Sequence, residues 1–355
     1  MKRLAFFILT ICILLASCSL QGGEQNPMPG EITGAPIASG LPQGTASPTP
    51  QAPGNSVAPN TPIVNTQTAF RFVVMGDSRG SDNGINSEIV KKIMERIKLL
   101  SPQPDFAIIP GDLVGGAGSY EGVKSQLEYF KKTVTAYYPA EFFYTCVGNH
   151  ETSGVDGVKA IGEVFSEFKV SEFLEGYGRT VYYLDRGNAR LFMLDTDYPG
   201  EPHEVSDKQL DWARGNLSKS GVNLFFMHEP PFPTGANVGY SLDKNTLQRA
   251  KLWELVDSSN DPMVFCCHEH NYTRRHINAD FNTTVEGVDY KYGKTVYQVT
   301  TGGFGAPLYN QFTSKKDVDA PPAVEYNFVV VDVDGSKLSV KAYNPDGKQL
   351  DSFSN

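Results

Sequence analysis

Asp77, Asp112, Asn149, His228, His268 and His270 are residue types that hold metal ions, and each stands just beyond an apolar run. Residues 70–75 lead to Gly76-Asp77, 106–109 to Gly111-Asp112, and 142–147 to Gly148-Asn149-His150-Glu151. Residues 224–227 lead to His228, and 263–267 to His268-Glu269-His270. Mixed carboxylate, amide and imidazole donors, without a thiolate cluster, suit Mn, Fe, Zn or Mg rather than copper or an iron–sulfur cluster. Taken singly, each has a plainer explanation. Asp77 or Asp112 after a glycine reads as a turn or helix-capping residue, Asn149 as a turn former, and His228 as a hydrogen-bonded core histidine. Those explanations would have to hold several times over, because four of the six histidines occupy these positions. On an extended chain, positions two apart point to one side, so His268 and His270 face one locus while Glu269 faces away. A carboxylate shared by two ions would hold them roughly 3.5–4 Å apart, a spacing suited to in-line displacement at phosphorus.

The elements that must position these groups are legible as well. Runs apolar on both faces predict buried strands. Between them, residues 87–100 place Ile89, Ile93, Met94, Ile97 and Leu100 on one helical face, and Pro102 ends it. Residues 123–136, 206–217 and 247–256 predict further helices. Strand–helix alternation implies an α/β sheet with ligands gathered at the carboxyl ends of its strands. Later segments differ: 180–185 and 189–195 form a hairpin around Arg186-Gly187-Asn188, and 328–333 pairs with 337–343 around Asp334-Gly335,. Residues 296–300 add a short strand. With no fixed-period repeat and no Pro/Gly linker, 69–355 reads as one domain.

The amino-terminal segment has a separate character. Met1-Lys2-Arg3 is followed by the apolar stretch 4–16, too short to span a bilayer and patterned as a secretory signal over 1–17,. Its end, Leu15-Ala16-Ser17-Cys18, resembles the lipobox of bacterial lipoproteins. That resemblance implies a lipidated Cys18 and an extracytoplasmic, membrane-anchored protein, at the outer membrane or the cell surface. Residues 18–68 are rich in Pro, Gly, Ser and Thr, carry only Glu24 and Glu31 as charges, and read as a disordered tether,. The formal charge of −9 argues against nucleic acid as a partner,. Bound cations would reverse that sign locally, so a phosphoester substrate remains compatible. Cys146, Cys266 and Cys267 lie on apolar runs and read as buried thiols, with a single bridge left open,.

Gly76-Asp77, Gly111-Asp112, Gly148-Asn149-His150-Glu151, His228 and His268-Glu269-His270, in this order, resemble the motif series of the calcineurin-like metallophosphoesterases. The resemblance implies a two-sheet α/β/β/α sandwich with a dinuclear metal centre. It implies that Asp77 and His270 bind the first ion, that Asp112 bridges, and that Asn149, His228 and His268 bind the second. His150 would orient the phosphate and serve the leaving oxygen. Two later stretches, 270–274 and 300–305, are similar to those of purple acid phosphatases.

Three positions depart from the pattern. The family commonly has His two residues after the first Asp, where this chain has Arg79, which has no lone pair to offer a metal,. Arg79 is expected instead to bind a phosphate oxygen, the plain alternative being a surface arginine. Gly115 stands where purple enzymes place Tyr, so a purple Fe(III)–tyrosinate site is not expected. Cys267 replaces a usual Gly, as a small buried thiol or a third soft ligand. The expected activity is hydrolysis of phosphomonoesters or phosphodiesters. The competing reading is a lipid-anchored surface binding protein with a degenerate site, and a structural metal domain fits poorly because structural zinc sites are closed.

Overall fold

The computed structural model describes residues 69–153, 156–167 and 169–355, all within the compact unit Pro62–Asn355. The expected signal segment, Cys18 and the tether lie outside the described residues. Two mixed sheets dominate. The first runs, edge to edge, Gln349–Ser354, Lys337–Tyr343, Phe328–Asp334, Ala69–Val74, Phe106–Pro110, Phe143–Cys146. The second runs Val318–Ala323, Tyr272–Ile277, Val296–Thr301, Met263–Cys266, Val222–Phe226, Ala189–Met193, Tyr182–Arg186, Glu172–Phe173. The strands that end at candidate ligands are parallel to their neighbours within each sheet: Ala69–Val74 with Phe106–Pro110, that strand with Phe143–Cys146, and Val222–Phe226 with Met263–Cys266. Both hairpins expected from sequence form, with Leu184 opposite Leu191 and Val331 opposite Val340.

Strand alternation explains why the runs had to be apolar on both faces. Leu224 and Phe226 join the core shared by the two sheets, whereas Phe225 between them joins a second core with Leu210, Ala213, Ala250, Leu252 and Trp253 from helices Asp207–Gly215 and Thr246–Ser258. Met263 and Phe265 likewise face one way, Val264 and Cys266 the other. Phe72 meets Phe226 and Phe265 edge-on at 6.0 and 6.3 Å, so the two sheets pack face to face. Helices Ser87–Lys98 and Tyr120–Thr135 bury Val90, Ile93, Met94, Ile97 and Val123, Leu127, Phe130, Val134 in the first core. Each such buried side chain contributes about 1.5–3 kcal/mol. The outcome is the expected α/β/β/α sandwich.

Several elements were not anticipated. Helix Gly157–Val164 is short, and Val318–Ala323 carries Pro321 and Pro322, residues that a strand tolerates at a sheet edge, where this one lies,. Gln349–Ser354 forms the opposite kind of edge, polar and half-exposed on the first sheet.

Candidate metal centre

Each candidate ligand sits where its strand ends and the backbone turns sharply. Asp77, Asp112 and His268 have φ of +61°, +48° and +67°, a left-handed conformation that costs a non-glycine residue free energy and clusters at functional sites,. The flanking glycines leave no alternative. A Cβ on Gly148 would stand 2.3 Å from Asp112 Oδ1, and one on Gly111 would stand 2.8 Å from His228 Nδ1.

The turn at His268 corrects the extended-chain reasoning. The strand Met263–Cys266 stops before it, and residues 268–271 form bends. Both imidazoles still reach one locus, but through the positive φ rather than through strand alternation. Glu269 does face away. Its carboxylate accepts from the backbone N–H of Gly235 (3.0 Å), Ala236 (3.2 Å) and Asn237 (3.0 Å), fastening the loop that covers this side.

Two ligand sets result, each with its donor atoms within 4.8 Å of one another: Asp77, Asp112 and His270, and Asp112, His228 and His268. Asp112 belongs to both. Asn149 Oδ1 lies 3.2 Å from His228 Nε2 and so joins the second. Glu151, the last residue of its motif, belongs to neither. It is buried, and accepts from the backbone N–H of Asp112 (3.0 Å), Val114 (3.0 Å) and Gly148 (2.9 Å), locking two ligand loops together.

The tautomers follow from the hydrogen bonds, because a carbonyl can only accept. His228 Nδ1–H donates to the Pro110 carbonyl (3.1 Å), His270 Nδ1–H to Pro307 (2.7 Å), and His268 Nε2–H to Tyr240 (3.3 Å). Burial holds all three neutral, with pKa values pushed down to about 3. His228 Nε2 and His268 Nδ1 therefore point bare lone pairs at each other across 3.0 Å, beside the Asn149 oxygen and 3.4 Å from Asp112 Oδ1. Acceptors converging without a donor are repulsive unless a cation sits among them. Asp77 carries the same mark at the first set. Its Oδ2 accepts from His268 N–H (2.8 Å), but its buried Oδ1 has no hydrogen-bond partner and lies 3.7 Å from His270 Nε2. Burial, reinforced by the Asp112 charge, pushes the Asp77 pKa well up, a penalty that a bound cation would reverse,. The residues present fit two cations sharing Asp112.

His150 and Arg79 face the same centre without belonging to either set. His150 Nδ1–H donates to the Gly115 carbonyl (2.9 Å), so the residue standing where purple enzymes carry Tyr here orients an imidazole. His150 Nε2 is left toward the centre, 3.9 Å from Asp112 Oδ2. Arg79 is no surface arginine. Its Nε is buried without a hydrogen-bond partner and lies 4.0 Å from Asp112 Oδ2. Cys267 is a packing residue and no ligand, with Sγ directed at the Thr301 carbonyl (3.4 Å) and seated over Gly76, where a Cβ would meet it at 2.2 Å. Cys146, Cys266 and Cys267 are all free and buried.

Sequence reasoning missed Tyr309. Its ring stacks on His270 at 4.1 Å and 13°, and its hydroxyl accepts from Arg79 (3.1 Å). A tyrosine in an irregular segment 230 residues from its partner carries no local signal. Size does not mark the site either: a surface cavity of about 610 Å³ beside Asn260 and Asp261 lies at the opposite ends of the strands.

The calcineurin-like phosphoesterase family model matches residues 70–272. A probable cyclic nucleotide phosphodiesterase from Rhodococcus erythropolis is 25% identical over 189 residues, which are 52% of this chain and 57% of that protein. Among solved structures, the purple acid phosphatase PPD1 of yellow lupin (Lupinus luteus) superposes with a TM-score of 0.61 at 18% identity, over 81% of this chain and 53% of that one. PhoD superposes with a TM-score of 0.57 at 11% identity, over 80% of this chain and 72% of that one. The chain thus spans little more than half the length of the first two. The fold, the ordered motifs and the family match over more than half the sequence agree, and the chain belongs to the calcineurin-like phosphoesterase family.

Proposed function

We propose that this protein hydrolyses phosphoric esters at a two-cation centre held by Asp77, Asp112 and His270 on one side and Asp112, Asn149, His228 and His268 on the other. The observation that carries this reading is the convergence of bare acceptors around Asp112, above all the facing lone pairs of His228 and His268 3.0 Å apart. Ions bound there would supply positive charge against phosphoryl oxygens and lower the pKa of water. The chain's own groups do the rest. The Glu151 and Glu269 carboxylates hold the ligand loops rigid, so that little reorganisation accompanies the reaction,. Arg79 directs its unpartnered N–H at a phosphate oxygen, in the manner of a guanidinium on an anion,. His150, fixed by Gly115, holds a proton at Nε2 and delivers it to the leaving oxygen,.

The substrate is a mono- or diester. The mixed carboxylate, amide and imidazole donors suit Mn, Fe, Zn or Mg, and Gly115 offers no phenolate for a purple centre,. A degenerate binding protein is the weaker reading: the second set is complete, and Arg79 is turned into the centre rather than lost from it. Metal analysis combined with turnover of p-nitrophenyl phosphate and bis(p-nitrophenyl) phosphate, before and after chelation, tests the reading. Metal-dependent turnover of either ester is expected. A protein that binds no metal, or one whose turnover survives full chelation, would falsify it.

The amino-terminal pattern supports a further proposal, that the enzyme works outside the cytoplasm, tethered through acylated Cys18. Labelled palmitate should enter the wild type and not Cys18→Ala. Equal membrane recovery of both proteins would refute it.

A further inference from the structure

Glu229 belongs to neither ligand set, although it follows the ligand His228 and is wholly buried. Its backbone N–H donates to Thr196 Oγ1 (3.3 Å), and buried Asp197 stands beside its carboxyl group. On the outer side, Glu229 Oε1 lies 2.7 Å from His203 Nδ1. A buried carboxyl group on one imidazole nitrogen fixes the ring and directs the other nitrogen away from it. His203 Nε2 is that second nitrogen. It makes no hydrogen bond among the described residues, and it is not buried. The His203 side chain is 25% exposed, against 29% for His150 and 24% for Arg79, so a ligand reaches all three alike.

The backbone holds His203 in place at a cost in free energy, with a left-handed φ of +60°,. Its turn is closed by Glu204 N–H donating to the Thr196 carbonyl (3.3 Å) and by Asn245 Nδ2–H donating to Glu204 Oε2 (2.6 Å). Before the turn, Asp197–Tyr198 pairs with Glu201–Pro202 and packs against helix Asn149–Thr152, which carries the ligand Asn149 and His150. Beyond it, the segment leading to Asn245 includes Tyr240, whose carbonyl takes His268 Nε2–H. His203 therefore stands on the rim of the second ligand set, near enough for its charge to act on His268. Lys244, Asp243 and Asp197 are the charged neighbours of the ring.

We infer that His203 is a third substrate-contacting group, donating Nε2–H to a phosphoryl oxygen on the second-ion side as Arg79 does on the first. This rests on the phosphoesterase reading and adds to it a residue outside every motif of the site. A phosphoryl oxygen can only accept, so it meets the Nε2–H form of the ring.

Two substitutions separate contact from scaffold. His203→Asn keeps a polar group near the Nδ1 position and tolerates the left-handed backbone, but has nothing at Nε2. His203→Gln brings an N–H toward the Nε2 position and suits the turn less well. Metal-loaded wild type and both variants are titrated with inorganic phosphate by calorimetry, beside elemental analysis of their metal. His203→Asn should bind phosphate about tenfold or more weakly, and His203→Gln should recover most of that loss, at unchanged metal content. kcat/KM for p-nitrophenyl phosphate should follow the same order. A histidine that only braces its turn gives the reverse order, with His203→Asn unaffected and His203→Gln weakened, and that result overturns the inference. So do a His203→Gln protein that binds no tighter than His203→Asn, and a wild type with no saturable binding up to about 50 mM phosphate. A wild type that binds phosphate in the expected order yet turns over no ester fails the phosphoesterase reading alone. One that takes up no metal fails both.

Discussion

Replacing Arg79 by alanine separates its two effects, on substrate and on metal. A hydrogen bond to a charged partner contributes about 1.5–3 kcal/mol, so kcat/KM for p-nitrophenyl phosphate should fall by about 10- to 150-fold. The metal effect has the opposite sign. Arg79 Nε stands 4.0 Å from Asp112 Oδ2 and competes with a cation for that carboxylate. Two unit charges at this distance interact by about 4 kcal/mol at an effective dielectric of 20. Solvent reaches a quarter of the side chain, yet even a third of that energy would tighten the first ion about tenfold in Arg79→Ala,. Tyr309 provides the internal control. Its hydroxyl accepts from Arg79 at 3.1 Å, so Tyr309→Phe should cost about 2- to 10-fold by releasing the guanidinium,. In the Arg79→Ala background the same substitution should cost nothing further, because there is nothing left to hold. Steady-state kinetics on the four proteins of this cycle, with calorimetric metal titration, provide the measurement. Additive losses, or an Arg79→Ala protein with unchanged kcat/KM and unchanged metal affinity, would refute the reasoning.

His150→Ala should lower kcat by roughly 10²- to 10⁴-fold with metal content near wild type, whereas His268→Ala should lose metal as well; elemental analysis beside kinetics distinguishes them. Glu151→Ala strands three backbone N–H groups, each costing about 1–3 kcal/mol, so it should lower the denaturation midpoint sharply,. A midpoint within one degree of wild type would contradict the loop-locking role. In metal-free protein, His228, His268 and His270 have folded pKa values of about 3, below the unfolded value near 6.5,. The unfolded chain therefore binds more protons between these values. Their contribution is complete above about pH 6.5 and is lost as pH falls toward 3. Asp77, pushed up by burial, has the opposite slope and should favour the metal-free fold as pH falls. Glu151, Asp195, Asp197, Glu229 and Glu269 are pushed up by burial as well and share that slope. The histidine share is therefore read, in denaturant melts, as the stability difference between chelated wild type and chelated His228→Asn, which should shift against wild type from pH 7 to 4, and a pH-independent difference would count against it,.

The residues alone determined the ligand types, their order and the strands that end at them, because buried parallel strands need apolar residues on both faces and metal-binding residue types stand just beyond them, after a glycine at three of the five ends. Asp77, Asp112, Asn149, His228, His268 and His270 were all legible for that reason, and the structure draws them together. What only the tertiary structure decided depends on contacts between distant segments. That Asp112 belongs to both ligand sets, that Glu151 and Glu269 bind loop amides, and that Cys267 packs on Gly76 has no local signature. His268 marks the boundary most clearly. Spacing predicted that it shares a locus with His270, but a left-handed backbone turn, held by Asp77 on its N–H and Tyr240 on its ring, is what aims it there. Such a conformation costs free energy locally and is maintained by surrounding hydrogen bonds, so it cannot be read from the residue that adopts it.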